Sequence, residues 1–384
     1  MIRFQTPQLP PVAEIAAYYA RSEEARWFSN RGPCHELLTE RLERFLGPGV
    51  RCVPVGNATV GLMLGLRALV GDRPQRREVL LPSFTFAATI SAVLWAGLEP
   101  VFVDVEEHSW HLDPFALRAA LAGRSDRVGA VLACSTFGVP PAMAQRGAWE
   151  LAAREAGVPL LVDSAAGFGA TAEDGLPLAR QGDAEVFSFH ATKPFAIGEG
   201  GLLTTTREDV ADRAMRLANF GFEDGVVHGA PGLNAKLPEW PAATALAVLD
   251  RYDEVLAARR AAAAEILEAA APDGYTGQSG TAGAAWQFVP VLAPSARVRD
   301  AALEHARGRG IELRTYFSVP LHRMPAYGSV PIAGGLARTE DLAARALSLP
   351  MANDQSAADR EAIVACLAAA VRRAGQPVGG SRRP

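Results

Sequence analysis

A chain of 384 residues is longer than one small hydrophobic core organises, so two domains are expected. Hydrophobic residues make up 49% and charged residues 21%, an ordinary globular balance that excludes extended disorder. The formal net charge of −4, with no clustered Lys/Arg stripe, gives no basic field for nucleic acid.

The N-terminus, Met1-Ile2-Arg3-Phe4-Gln5-Thr6, runs straight into prolines and does not read as a signal peptide. No apolar stretch reaches the ~18 residues that a membrane helix requires. The expectation is a cytoplasmic protein with no membrane partner. Four cysteines (Cys34, Cys52, Cys134, Cys366) and seven histidines show no C-x-x-C or H-x-x-x-H spacing. They predict no metal site, and thiols that serve as small buried hydrophobes.

The first element with chemical meaning is Pro54-Val55-Gly56-Asn57-Ala58-Thr59, which runs into an apolar helix from Val60 to Leu69. A small-residue turn at a helix N-terminus offers N–H groups and a positive dipole end to a phosphate. The competing reading is a plain N-cap at Asn57 or Thr59. Short apolar runs then recur at Glu78–Pro82, Pro100–Val105, Val128–Cys134, Pro159–Val162, Ala184–Phe189 and Leu202–Thr206. Helical patterns at Ala87–Ala96, Pro114–Leu121 and Gln145–Ala156 lie between several of them. This alternation predicts an open α/β fold, a mostly parallel central sheet with helices on both faces.

Two of those runs end in reactive groups. Val158-Pro159-Leu160-Leu161-Val162 is followed by Asp163, which is placed at the carboxyl end of a buried parallel strand. A carboxylate there can pair with a protonated ring nitrogen; a helix cap is the bland alternative. The run from Ala184 carries Ser188 near its end and Lys193 just beyond, before the glycine-rich turn Gly198-Glu199-Gly200-Gly201. A lysine so placed suits an amine that forms a Schiff base with the aldehyde of pyridoxal phosphate, although most lysines near strand ends are solvated charges.

Beyond Thr206 the pattern changes. Helical signal covers Glu208 to Asn219, an Ala-rich helix spans about Tyr252 to Ala271, and a Gly/Ser/Thr-rich stretch, Gly274 to Gly283, precedes a strand at Trp286–Leu292. The boundary is placed near Ala257. That gives a large domain (1–256) with an N-terminal arm, a smaller C-terminal α/β domain (257–374), and a tail (375–384) expected to be disordered.

The three signals, in this order, resemble the fold-type I pyridoxal phosphate enzymes, and more narrowly the DegT/DnrJ/EryC1/StrS family of sugar aminotransferases. The resemblance runs from Trp27-Phe28-Ser29-Asn30-Arg31-Gly32-Pro33 to Leu347-Ser348-Leu349-Pro350. Its most specific pieces are Pro82-Ser83-Phe84-Thr85-Phe86, Phe102-Val103-Asp104-Val105, Phe187 to Gly201, and Gly232-Leu233-Asn234-Ala235-Lys236. It implies that Lys193 binds the cofactor covalently and moves the substrate proton, and that Asp163 pairs with the pyridine nitrogen. It implies phosphate contacts from Gly56, Asn57, Ala58 and Ser188, and ring stacking by Phe86. Asn234 is implied to reach the phosphate of the partner subunit's cofactor in a homodimer with shared active sites. Asn30, His190, Arg314, Tyr316 and His322 are the implied substrate contacts.

Three positions depart from the family's pattern. Asn57 stands where Thr is commoner, and Lys236 where Arg is commoner. Ala166 occupies a position that usually carries Gln or His against the cofactor ring, so its hydrogen bond is missing. The implied reaction moves an amino group from L-glutamate or L-glutamine to a ketosugar, expectedly a nucleotide-linked deoxysugar. A ketocyclitol or free ketosugar, other chemistry on an amino-acid-like substrate, and a non-catalytic regulatory relative remain as alternatives. Lys193 argues against the last.

Overall fold

The computed structural model describes residues 1–71, 75–227, 229 and 231–375. Two helices, α1 (Val12–Ala25) and α2 (Pro33–Leu46), precede the first strand, β1 (Arg51–Val55). There follow α3 (Ala58–Val70), β2 (Glu78–Pro82), α4 (Ala87–Trp95), β3 (Glu99–Val103), α5 (Pro114–Gly123), β4 (Val128–Cys134), α6 (Met143–Ala156), β5 (Leu160–Asp163), β6 (Ala184–Ser188) and β7 (Gly201–Thr205). These seven strands form one sheet in the order β1-β7-β6-β5-β4-β2-β3. β7 is antiparallel to both of its neighbours, and the remaining strands share one direction. The sheet is mostly parallel, as the alternation of runs and helices predicts.

Successive residues of one strand serve opposite faces. Ala130, Leu132 and Leu161 pack in the cluster that holds α3, α4 and α7 (Glu208–Ala218). Their neighbours Val131, Ala133, Leu160 and Val162 pack with α5 and α6. Burial on both faces is why β4 reads as an unbroken apolar run.

A two-stranded hairpin, β8 (Phe222–Glu223) and β9 (Val226–Val227), precedes α8 (Glu239–Leu249) and α9 (Tyr252–Ala270). Along α9, Tyr252 and Leu256 join a cluster with Phe168 and Phe187 of the sheet layer, whereas Ala262, Ala263, Ile266 and Ala270 join the C-terminal core. That core covers the pair β10 (Val289–Leu292) and β11 (Ala346–Leu349) with α10 (Ala296–Gly308) and α12 (Ala357–Gly375). α11 (Ala337–Arg345) precedes β11. The strand expected from Trp286 begins only at Val289, because Trp286 holds a left-handed backbone (φ 57°) that a strand excludes. Gly375 closes α12, and the rest of the expected tail, 376–384, lies outside the described residues.

The chain's first residues tie to the C-terminal core. Ile2 bridges to Ile311, and the Phe4 N–H donates to Glu312 Oε2 at 2.8 Å. All four cysteines are buried and unpaired. Among the described residues no helix is long and apolar enough to cross a membrane, and no group of three or more His, Cys, Asp or Glu could hold a metal ion.

Candidate active site

Adjacent parallel strands bring Cys134, Asp163 and Ser188 to the carboxyl edge of the sheet, where ligands of open α/β folds bind. Asp163 is buried. Its Oδ2 accepts from Thr89 Oγ1 at 2.7 Å and its Oδ1 from the Ala165 N–H at 3.1 Å. Burial pushes this carboxyl above its ordinary pKa, while those two hydrogen bonds and the charge of Lys193 pull it back. Thr89, in the first turn of α4, and Thr85, just before the helix, face each other at 3.0 Å, and Thr85 Oγ1 donates to Cys134 Sγ at 3.4 Å. Neither threonine stands out in the sequence as a site residue; Thr85 lies inside the motif Pro82 to Phe86, and Thr89 beyond it.

Lys193 sits in the loop between β6 and β7, which closes on itself. The Phe189 N–H donates to Gly200 O at 2.9 Å and the Ala191 N–H to Gly198 O at 2.7 Å. Phe195 anchors the loop among Phe168, Phe189 and Tyr252, with ring centroids 4.6 to 5.0 Å apart. The Lys193 amine donates to Gln287 Oε1 at 2.9 Å. Burial pulls the amine down to about 8, against the opposing pull of Asp163 and Cys134. A neutral fraction is therefore accessible near neutral pH, as a nucleophilic amine requires.

The phosphate-type turn lies beside Ser188. Asn57 caps α3, its Oδ1 accepting the Val60 N–H at 2.9 Å, so the capping reading holds for its side chain. Ala58 and Thr59 open the helix and have no intrahelical acceptor for their own N–H groups. Gly56 donates to Ala235 O at 2.8 Å. A Cβ on Gly201 would lie 2.7 Å from Ala58 N and from the Asn57 carbonyl carbon, so only glycine lets the turn close on β7. Gly201 is the cross-strand partner of Ser188, which brings hydroxyl and helix N-terminus to one place.

The remaining predicted residues are placed less uniformly. Phe86 is 60% exposed at the start of α4, where an isolated phenylalanine would be expected in the core. Ala166 is buried, and its carbonyl oxygen lies 2.3 Å from where a Cβ on Gly138 would stand; Gly138 itself has φ +80°. His190 Nδ1 lies 2.9 Å from Thr192 Oγ1, and its Nε2 lies 3.6 Å from Glu199 Oε1. Arg314 is exposed with its guanidinium 5.0 Å above the Phe4 ring, and Tyr316 stacks on Phe288 at 5.3 Å. His322 is tied on both sides, Nδ1 to Ser83 Oγ and Nε2 to Glu340 Oε1, each at 2.8 Å. Its ring has no free nitrogen for a ligand.

Asn30 opens elsewhere. With Arg31, His35, Asn219 and Lys236 it lines a cavity of about 420 Å³ that neither Lys193 nor Asp163 borders. Asn234 is exposed and bridges Asn219, and Lys236 donates to Asn219 Oδ1 at 2.8 Å over the Phe220 ring.

A desolvated amine, a buried carboxyl, and a hydroxyl beside open helix N–H groups form the donor set that pyridoxal phosphate demands. The amine suits its aldehyde, the carboxyl its ring nitrogen, and the helix end its phosphate.

Residues 12–368 match the DegT/DnrJ/EryC1/StrS aminotransferase family. The chain is 34% identical over 369 residues to protein Rv3402c of Mycobacterium tuberculosis, an overlap of 95% of this chain and 89% of that protein. It is 33% identical over 377 residues to the dTDP-3-amino-3,4,6-trideoxy-alpha-D-glucose transaminase of Streptomyces venezuelae, covering 91% and 92%. Among solved structures, DesI, determined in the presence of its TDP-sugar product, is similar with a TM-score of 0.87 at 34% identity, covering 97% and 93%. A DegT DnrJ EryC1 StrS aminotransferase from Brucella abortus is similar with a TM-score of 0.84 at 27% identity, covering 95% and 96%.

Proposed function

The chain belongs to the DegT/DnrJ/EryC1/StrS aminotransferase family and is a pyridoxal-phosphate-dependent enzyme of fold-type I, and from this we propose that it aminates the keto group of a nucleotide-linked deoxysugar with L-glutamate or L-glutamine as donor. The observation that carries the reading is the meeting of the Lys193 amine, lowered to about 8, with the buried Asp163 carboxyl at neighbouring strand ends. Two relatives support the substrate class: one is a dTDP-amino-sugar transaminase by name, and DesI was determined with a TDP-sugar product.

Pyridoxal phosphate, when bound, supplies the electron sink for carbanion chemistry. The chain's own residues do the rest. Lys193 would hold the cofactor through its amine and, when free of it, would take the proton from the substrate Cα. Asp163, fixed by Thr89 and Ala165, keeps the ring nitrogen protonated. Ser188 and the N–H groups of the Asn57–Ala58 turn hold the phosphate, and Phe86 covers one ring face. Arg314, Tyr316 and His190 serve the acceptor, Asn30 would reach one only across the proposed dimer because in its own chain it lines a separate cavity, and His322 positions the Ser83–Phe86 segment through its bond to Ser83.

We further propose a homodimer with shared sites and a division of the chain near Ala257. Phe220, Phe222, Val226, Val227 and Leu233 are all exposed around Asn234, an apolar surface that a second copy would cover. Light scattering is expected to give twice the chain mass, and a fully active monomer would overturn the shared site.

The substrate test is a panel of nucleotide-linked ketosugars, free ketosugars and ketocyclitols offered to enzyme loaded with amine from glutamate. A nucleotide-linked ketosugar is expected to be aminated at the highest kcat/KM. Turnover of free amino acids alone would reject the sugar reading. A free ketosugar or ketocyclitol is the second reading, favoured because Arg314 is the one permanent cation among the proposed acceptor contacts.

A further inference from the structure

We propose that Gln287 is a positioning residue that docks the Lys193 amine whenever that amine is not bonded to the cofactor, holding it in one place with one N–H committed. The inference rests on the reading of Lys193 as the cofactor's amine and adds to it a residue from the C-terminal part of the chain. Gln287 lies just before β10, is buried, and is separated from Lys193 by 94 residues. Its Oε1 accepts from Lys193 Nζ at 2.9 Å, and its Nε2 donates to Thr192 Oγ1 at 3.3 Å.

The direction of the amide is set by its neighbours. His190 Nδ1 accepts the Thr192 backbone N–H at 3.3 Å, so that nitrogen presents a lone pair. The Thr192 hydroxyl, 2.9 Å away, then donates to the same nitrogen and offers its oxygen to Gln287 Nε2. Only Oε1 is left to face Lys193. A flipped amide would set its NH2 against the N–H groups of the charged amine. The backbone is held as firmly. Arg259, buried, donates from Nη1 to Trp286 O at 2.7 Å and to Gln287 O at 3.4 Å, and from Nε to Asn353 Oδ1 at 2.6 Å. Lys193, Thr192, Gln287 and Arg259 line one small recess with about 10 Å³ of open space.

A neutral acceptor has a chemical merit here. Lys193 must be protonated at one stage and hold a free lone pair at another. The amide oxygen accepts an N–H from either form, whereas a carboxylate would favour the charged form alone. An amine that donates to Oε1 keeps its lone pair directed elsewhere, available for the proton it must collect.

The chain offers an unusually clean readout, because Lys193 and Lys236 are its only two lysines. Cofactor-free protein grown with ε-¹³C-lysine gives two side-chain resonances, which the Lys236→Arg variant assigns. Lys193 is expected to titrate at about 8 in the parent protein. Gln287→Leu is expected to lower that midpoint by about one unit, since an acceptor for the charged form is lost. Gln287→Glu, of the same size, is expected to raise it. In loaded enzyme, Gln287→Leu should lower kcat for both half-reactions by a similar factor, about tenfold, and leave both KM values in place. An unmoved Lys193 midpoint in folded Gln287→Glu protein would overturn the inference, and that variant carries the test even if Gln287→Leu fails to fold. The reading of Lys193 itself fails separately, through retained turnover in Lys193→Ala, with the titration shifts still measurable.

Discussion

Lys193→Ala is expected to lower transamination by at least about 10³-fold, the scale of a lost general acid–base group, and to abolish covalent attachment of the cofactor. Loaded parent protein should show a visible absorption that glutamate bleaches, and the variant should show neither. The fold should survive. The parent's amine is held below its ordinary value of 10.5 at about 8, so its burial costs stability in full below pH 8, and that cost fades as pH rises from 8 toward 10.5. Removing the amine therefore costs nothing at neutral pH, and thermal unfolding of cofactor-free protein should be no earlier in the variant. In the parent, the rate of cofactor attachment should climb as pH passes through about 8, following the neutral amine. Wild-type turnover in Lys193→Ala would remove the assignment at once.

Asp163→Asn is the second large effect expected, a fall in kcat of about 10²- to 10³-fold with cofactor still bound, in line with the loss of one buried electrostatic partner. Asparagine keeps the shape: its Oδ1 can still accept the Ala165 N–H, while its Nδ2 takes the place of Oδ2 and donates to Thr89 Oγ1, whose hydrogen can turn to Thr85, so the loss chiefly reports the charge. Spectra of the loaded variant would show that binding persists. An unchanged kcat would refute the pairing of Asp163 with the ring nitrogen.

The contrast between readable and unreadable residues has a physical basis. Lys193, Asp163 and Ser188 could be found because each stands at or just past the end of a β-prone run, and a strand end fixes which way the chain presents a side chain. Thr89 and Gln287 could not, because their partners, Asp163 and Lys193, lie 74 and 94 residues away. Glu185 is a further case. It lies inside the apolar run that forms β6, fully buried, with Ser164 Oγ and Gln181 Nε2 on its Oε1. Burial raises this carboxyl to about 7, which no local pattern announces. His322 shows the reverse, since a histidine in a substrate-like segment proves to have both ring nitrogens engaged by Ser83 and Glu340.

The sequence by itself determined the α/β class, the bounds of six of the seven sheet strands and of the helices between them to within a few residues, and the place of Asp163, Ser188 and Lys193 at or just past strand ends, but not β1, whose run Arg51–Val55 it left unassigned. These depend on period, run length and the residues that break a run, which are local properties. Only the tertiary structure decided that β7 runs against its neighbours, although the glycine-rich loop before it, with no helical pattern to make a parallel crossover, was consistent with that turn. It also decided that the N-terminal residues tie to the C-terminal core, and that Thr89 meets Asp163 and Gln287 meets Lys193. A hydrogen bond requires two atoms about 3 Å apart in a fixed direction, and for residues far apart in the chain only the packing of the whole fold supplies that condition.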